Sequence, residues 1–472
     1  MFKKVLIANR GEIASRLIRA CNELSIPTAA IYSEADTTAL HVKKADEAFL
    51  VGPGPVQGYL NVHRIIDIAL EIGADAIHPG YGFLSENPKL PELCEKKNIT
   101  FIGPTSKAIK DMGDKITSRK IMQKAGVPVI PGSTEEIRDA KEALKFVKDF
   151  GFPVMLKASA GGGGKGLRLV RNSKEIKDAF ESARSEANLS FGNPSMFIEK
   201  YIEQPHHIEI QILADKHGNV IHLGERDCSI QRRHQKLIEI APSLILDSKT
   251  RELMGKAAIK GAKAVGYDNA GTIEFLVDRQ NNFYFMEMNT RIQVEHTVTE
   301  EVTGIDLVKK QIEIAAGEPL DITQDDVLTR GFAIECRINA EDPKKDFAPN
   351  AGKVTAYYSP GGIGVRIDGA IYKDYVIPPF YDSMVAKLIV KGQTWEEAVR
   401  RLDRAIGEFV IRGVKTTLPY LHKIIHDWDF RTGNFDTTFI ESKPHLLEYD
   451  EFKDPVDLVA AISAALAAHH GF

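Results

Sequence analysis

From Gly271 to Glu295 the chain reads Gly-Thr-Ile-Glu-Phe-Leu-Val-Asp-Arg-Gln-Asn-Asn-Phe-Tyr-Phe-Met-Glu-Met-Asn-Thr-Arg-Ile-Gln-Val-Glu, and this stretch restricts the possible fold more than any other. Two short runs, Thr272–Val277 and Phe283–Glu287, flank a polar turn through Gln280 and Asn281, which predicts a strand hairpin. A turn symmetric about that pair sets Glu274 directly across from Glu287. Opposed like charges destabilise a strand pair. A hard divalent cation, which takes carboxylate oxygens, reverses that penalty. Side chains alternate in extended backbone, so Glu287, Asn289, Arg291, Gln293 and Glu295 are expected on one face, with Met286, Met288, Ile292 and Val294 on the other. The face reads as a metal site beside an anion site. An ordinary amphipathic edge strand explains the alternation, but not the facing glutamates. Nor does it explain a polar face without lysine, the usual residue on exposed edges.

At 472 residues the chain is too long for one core, and about three domains are expected. A net charge of −4 supplies no attraction for nucleic acid or an anionic membrane, so neither is expected as a partner. Cys21, Cys94, Cys228 and Cys336 form no C-x-x-C pair and read as free thiols of a reducing compartment. With no signal peptide and no apolar run that spans a bilayer, the expected location is the cytoplasm.

The first segment alternates short apolar runs with helical patterns: Lys4–Ala8, a helix through Ile13–Leu24, then Thr28–Tyr32, with Ala48–Val51, Ala76–His78 and Thr100–Ile102 as further strands. This rhythm predicts an open parallel sheet whose strand ends carry function. The turn Asn9-Arg10-Gly11-Glu12 lacks the G-x-G-x-x-G spacing, so a dinucleotide fold does not follow. A break near Gly126-Val127-Pro128 leads to a second unit from about Pro131 to Ile202. There Val154–Leu156 feeds Lys157-Ala158-Ser159-Ala160-Gly161-Gly162-Gly163-Gly164-Lys165-Gly166, followed by Leu167–Val170. Glycines let backbone N–H groups turn inward and approach phosphate oxygens. Lys165 is followed by Gly166-Leu167 and not by Ser or Thr, so this is no Walker loop. A flexible linker is the alternative; its place between two apolar strands favours a mobile hairpin over phosphate.

Residues from Pro205 to about Gly317 read as mixed α/β, and Gly331 to about Gly413 as strand-rich with a closing helix near Trp395–Phe409. The expected class is α/β and α+β, divided at 1–114, 115–330 with a mobile unit at about 132–203, 331–446, and a tail at 447–472. The tail predicts a helix with Asp454 as N-cap, Pro455 at the first position and Gly471 at the end. Leu458, Val459, Ile462 and Leu466 make its apolar stripe, suited to a partner chain or to this chain's own surface.

Two further runs are rich in donors. His206–Ile212 alternates with polar groups on one face, and Glu225–Lys236 interleaves Arg226, Gln231, Arg232, Arg233, His234 and Lys236. A solvated basic loop and a shaped phosphate-recognition surface both fit that composition. His207 and His234 also read as satisfied core histidines, and neither is assigned a metal. In Ala333–Pro343, Arg337 lies on the face opposite Ile334, Cys336 and Ile338, where an ion pair to a nearby glutamate is the simplest role.

Together these runs resemble the biotin carboxylase family of the ATP-grasp superfamily. The matching stretches are Ala8–Ala14, His78–Asn87, Met112-Gly113-Asp114-Lys115, the Lys157–Gly166 loop, Glu225–Lys236, Glu287–His296 and Glu335–Pro343, in family order over about residues 1 to 445. The resemblance implies an N-terminal α/β domain, an ATP-grasp core with a lid, and a biotin-carboxylase-like C-terminal domain. It implies nucleotide binding by Lys115, Lys157, His207, Gln231 and His234, by the loop Gly162, Gly163, Gly164 and Gly166, and by the adenine hinge Glu199, Lys200, Tyr201 and Ile202 with Leu276 beside it. Glu274, Glu287 and Asn289 match the Mg2+ (or Mn2+) site. Lys236, Arg291, Gln293 and the N–H of Val294 match the bicarbonate pocket, Glu295 the general base, and Arg337 the residue at the biotin ureido oxygen. Lys165 stands where arginine also occurs in the family, which keeps the charge.

The implied chemistry is ATP- and bicarbonate-dependent carboxylation of biotin through carboxyphosphate. The chain contains no Ala-Met-Lys-Met biotin-acceptor stretch, so biotin is expected on another polypeptide, a carrier protein or a biotinylated carboxyltransferase subunit. A homodimer is implied as well. The tail is more similar to that of the stand-alone carboxylase chain of two-subunit pyruvate carboxylases than to the acetyl-CoA carboxylase version. Two other readings compete: an ATP-grasp ligase joining a carboxylate to an amine, and a non-catalytic nucleotide-binding assembly subunit.

Overall fold

The structure, a computed structural model, describes residues 1–133, 135–158, 166–449 and 455–470. Gly162, Gly163 and Gly164 of the glycine loop, with Lys165, Asp454 and Gly471, lie outside the described residues.

The N-terminal rhythm folds as expected. Strands β1 (Val5–Ile7), β2 (Thr28–Tyr32), β3 (Glu47–Leu50), β4 (Ala76–His78) and β5 (Thr100–Phe101) form a parallel sheet in the order β3-β2-β1-β4-β5. β1 and β4 are buried throughout, as strands covered on both faces must be. At their carboxyl ends Asn9 Nδ2 donates to Pro79 O (2.6 Å) and Tyr81 O (2.7 Å), tying the two functional loops together. The Tyr81 hydroxyl reaches the buried Glu12, whose carboxyl burial pushes up to about 7.

The second unit is a small antiparallel sheet of β6 (Val154–Ala158), β7 (Leu167–Val170) and β8 (Met196–Lys200), with β6 in the centre. Helices Ala140–Phe150 and Ile176–Phe191 accompany it, and Val147, Val154, Leu156, Val170, Phe180, Met196 and Ile198 share its core. That core is separate from those of the neighbouring units.

The largest element is an eight-stranded sheet, antiparallel throughout. It runs β13 (Phe283–Asn289), β12 (Asn269–Val277), β9 (His206–Ala214), β10 (Val220–Arg232), β11 (Gln235–Ala241), β14 (Phe332–Asn339), then Met384–Gly392 and Val365–Gly369. The sheet passes through residue 331: β11 pairs with β14 from Ile238 opposite Cys336 to Ala241 opposite Ala333. One ladder therefore joins the strands that carry His207, Lys236, Glu274 and Glu287 to β14, which carries Arg337.

The donor-rich run is not a solvated loop. It occupies β10 and β11, closed by a two-residue turn at Arg233 and His234, both at positive φ (49° and 65°), with Arg232 opposite Gln235. Two positive-φ residues match the twist of tight hairpins. β9, expected to be half-polar, lies between β10 and β12, and from His207 onward all its residues are buried. The tail helix is Pro455–His469, and Val459, Ile462 and Leu466 on its stripe are exposed. No helix among the described residues is long and apolar enough to cross a membrane.

Candidate active site

Glu274 on β12 is paired directly with Glu287 on β13. The register shifts between Glu274 and Phe275, so that Phe275 opposes Phe285 and Met286 is the extra residue. Met286 is 37% exposed, not turned into the core with Met288. The expected alternation also ends early: β13 stops at Asn289, and the chain turns through residues 290–295 into the helix His296–Thr303. Asn289, Gln293 and Glu295 are nevertheless all buried beside Glu274 and Lys236. The turn brings together what a straight strand would have strung out.

Glu274 collects donors. Asn289 Nδ2 (2.8 Å), Gln293 Nε2 (2.7 Å) and Lys236 Nζ (3.2 Å) reach Oε1, and His207 Nε2 lies 2.9 Å from Oε2. Desolvation pushes this carboxyl up, but Lys236 and His207 outweigh it and hold it well below the usual range. Glu287 behaves oppositely, raised by desolvation and then by the Glu274 charge. Among the described residues no side-chain hydrogen bond or ion pair engages its carboxylate. Two facing carboxylates and an amide oxygen fit a hard divalent ion, which would relieve the repulsion that raises Glu287. Glu274→Gln and Glu287→Gln are each expected to raise the Mg2+ concentration for half-maximal ATP cleavage by about 10-fold or more. The double change should add little, because one ion connects both; additive effects in a Mg2+ titration would argue against a shared site.

Deeper in the cleft Glu295, 2% exposed, is clamped between two cations. Lys236 Nζ donates to its Oε1 (2.5 Å) and Arg337 to its Oε2 (3.0 Å). Arg337 also donates through Nε to Glu239 Oε1 (2.6 Å), so the glutamate ion pair expected for it is present twice. Burial pushes Glu239 up to about 8 against the pull of Arg337. Burial acts on Glu295 in the same direction, but Lys236, Arg337 and Arg226 hold it well below the carboxylate range. Lys236 bonds Glu209 (2.7 Å) as well. Arg291 donates to Glu86 (3.0 Å) and to Asn289 Oδ1 (2.8 Å).

Family models match the chain in sequence: "Biotin carboxylase, N-terminal domain" over residues 1–109, "Carbamoyl-phosphate synthase L chain, ATP binding domain" over 114–323, and "Biotin carboxylase C-terminal domain" over 335–442. The 2-oxoglutarate carboxylase small subunit of Hydrogenobacter thermophilus is 57% identical over 471 residues, covering 100% of both chains. A pyruvate carboxylase subunit of Methanothermobacter thermautotrophicus is 54% identical over 486 residues, covering 99% of each. The chain belongs to the biotin carboxylase family. The crystal structure of the biotin carboxylase domain dimer of the Hydrogenobacter 2-oxoglutarate carboxylase, in complex with MgADP, ADP and bicarbonate, superimposes with a TM-score of 0.90. It shares 57% identity and covers 96% of this chain and 100% of that one.

Other biotin carboxylase positions singled out in the sequence lie around the same sheet or on the small one. Lys115 is exposed at the start of the helix Lys115–Lys124, and its charge acts on Glu287. Lys157 on β6 ion-pairs with Glu199 on β8, which also accepts from Arg119 (2.7 Å). Lys200 ends β8, and Tyr201 and Ile202 follow it, half-buried. Leu276 is opposite His207, and Gln231 opposite Lys236. Gly166 sits at φ +72°, at the edge of the described part of the loop. His234 is exposed in the hairpin turn, away from the Glu274 cluster that holds His207.

Two residues were missed by sequence reasoning. Arg226, fully buried, donates to Glu209 (2.5 Å), Gln211 (2.7 Å), Thr299 (2.9 Å), Thr272 (3.1 Å) and Gln293 (2.8 Å). Lys387, also fully buried, donates to Val294 O (2.7 Å) and fixes the peptide beside Glu295. Arg226 belongs to the donor-rich run but offers no sign of burial there. Lys387 sits on Met384–Gly392, opposite Arg337, a pairing visible only once the strand order is known.

Proposed function

We propose that this biotin carboxylase carries out the ATP- and bicarbonate-dependent carboxylation of biotin presented on a separate chain. The observation that carries the reading is the Glu295 carboxylate held between Lys236 on β11 and Arg337 on β14. Lys115, Lys157, His207, Gln231, His234 and the glycine loop take the nucleotide, with the hinge Glu199–Ile202 and Leu276 at the base. Glu274, Glu287 and Asn289 would hold Mg2+ or Mn2+, which supplies charge neutralisation on the phosphates. Lys236, Arg291, Gln293 and the N–H of Val294 hold bicarbonate.

Glu295 takes the bicarbonate proton as its oxygen attacks the γ-phosphorus, and ADP leaves. The 132–203 unit closes as a lid to keep water from carboxyphosphate. Cleavage of its C–O bond yields carbon dioxide and phosphate. Phosphate takes the ureido proton while Arg337 stabilises the negative oxygen, and the nitrogen attacks carbon dioxide.

The two relatives that match end to end are named for 2-oxoglutarate and pyruvate, which favours a 2-oxo acid as final acceptor over an acyl-CoA. The biotin-bearing partner is accordingly a carboxyltransferase subunit or carrier, and the assembly unit a homodimer, as in the Hydrogenobacter structure. Four buried free cysteines agree with a cytoplasmic setting.

The test is ATP cleavage by the purified chain with and without bicarbonate and free biotin. Bicarbonate-dependent, biotin-stimulated cleavage is expected; indifference to bicarbonate would favour a carboxylate–amine ligase, and no turnover a non-catalytic subunit. Arg337→Ala should lower biotin-dependent turnover by about 10²–10³-fold, the cost of one oxyanion donor, and biotin-independent cleavage far less. Equal loss of both would place Arg337 on the bicarbonate side.

A further inference from the structure

Away from the cleft, the helices Trp395–Glu408 and Leu418–His426 pack through Leu402, Ala405, Ile406, Leu421, Ile424 and Ile425. Beside that seam Asp403 faces His422 and His426, which are four residues apart and so share one face of their helix. His422 Nε2 is 3.4 Å from Asp403 Oδ1, and His426 Nε2 is 3.5 Å from Oδ2. The three ligand atoms lie within 4.8 Å of one another. We propose that Asp403, His422 and His426 form a surface site for one borderline transition-metal ion of the Zn2+ class, clipping the two helices together.

The distances suit a bound ion. Direct N–H···O bonds are shorter, at about 2.7–3.2 Å. A tetrahedral shell with metal–ligand bonds of about 2.0–2.2 Å has ligand–ligand edges of about 3.3–3.6 Å, which both separations match. The ring orientation is also set. His426 Nδ1 lies 2.8 Å from the His422 carbonyl, which can only accept, so Nδ1 carries the proton. In the neutral ring Nε2 then presents a lone pair towards the Asp403 carboxylate, and either a proton or a metal ion between them removes the repulsion. A backbone carbonyl on the far nitrogen is the usual support of a metal-bound histidine.

The ligand set selects the ion. Imidazole nitrogen suits Zn2+, Ni2+ and Cu2+, whereas Mg2+ keeps to oxygen. The site is therefore chemically separate from the carboxylate pair of the cleft. The three side chains are each 36–40% exposed, so the ion enters from solvent and water completes its shell. Stabilisation would extend inward, because Thr417, which precedes the second helix, donates to Asn339 O (3.0 Å) and Arg337 O (3.2 Å) on β14.

The test uses the full chain freed of metal by chelation, titrated with Zn2+ and separately with Co2+. One equivalent should bind the wild type in the micromolar range or tighter, with a visible cobalt spectrum of a nitrogen-containing shell and a raised thermal midpoint. Asp403→Asn, His422→Gln and His426→Gln should each weaken that equivalent by at least about 10-fold, the lower bound even for supporting residues. The tail pair His469→Gln/His470→Gln and Glu287→Gln should retain it, and Asp403→Asn should keep biotin-dependent ATP cleavage. Binding that survives all three ligand changes, or is lost in the tail or Glu287 variants instead, would overturn the proposal. So would a wild type that takes up no Zn2+ in the micromolar range.

Discussion

Glu295→Gln is expected to lower bicarbonate-dependent ATP cleavage by about 10²–10⁴-fold, the range of a lost general base, while nucleotide affinity stays nearly constant. The change keeps the shape of the side chain and an oxygen for Lys236. It removes the charge that Arg337 and Lys236 share. The resting carboxylate is a poor base, because those two cations and Arg226 hold it well below its usual range. In the proposed reaction, bicarbonate and the γ-phosphate are anions that enter beside the same cations. As they draw Lys236 and Arg337 away, the proton affinity of Glu295 rises at the step that needs it. Proton uptake is thereby linked to substrate occupancy, and an empty site gains no unproductive proton. Steady-state kinetics together with a binding titration of ATP would check this. A parallel loss of nucleotide affinity would instead mark Glu295 as a structural or metal-binding residue.

How much of this could be read from the chain depends on how local each relation is. The expected Glu274–Glu287 pairing holds in the structure, but turn length alone does not set it: the register from Val277 opposite Phe283 to Phe275 opposite Phe285 would carry Glu274 to Met286, and the extra residue there brings Glu287 across. That β1 to β5 run parallel follows from alternating apolar strands and helices, whereas their order, β3-β2-β1-β4-β5, does not. The bulge at Met286 was hidden because the inserted residue is itself apolar, so Met286-Glu287-Met288 reads as unbroken alternation. The turn after Asn289 was hidden for a different reason. Asn289, Gln293 and Glu295 lie an even number of residues apart, so they read equally well as a strand face. The continuity of the large sheet across residue 331 depends on β11 meeting β14, about a hundred residues apart, and no local pattern encodes that contact. The buried polar network is hardest of all to foresee. An arginine in a donor-rich hairpin looks solvated until its neighbours on β9, β12 and the helix His296–Thr303 are known.

Arg226→Met is expected to be among the most destabilising single changes outside the apolar cores, on the order of 3–5 kcal/mol, the cost of breaking a buried ion pair from one side. A guanidinium has five N–H donors. Arg226 spends them on acceptors from β9, β12, the turn before Glu295 and the following helix, with no solvent access. Methionine fills much of the volume but leaves Glu209 with Lys236 as its remaining cation and strips Gln211, Thr272, Gln293 and Thr299 of a donor. Arg226→Lys separates charge from shape: it restores a cation for Glu209 but cannot reach all the other acceptors. Its thermal midpoint should fall between those of the wild type and Arg226→Met. Gln293 and Glu295 are both within this network's reach, so bicarbonate dependence should weaken even in Arg226→Lys, before any loss of ATP binding. Thermal unfolding of the three proteins, followed by bicarbonate titrations of the folded ones, tests both halves. An Arg226→Met protein as stable as the wild type would show that the network orders the site without holding the sheet together.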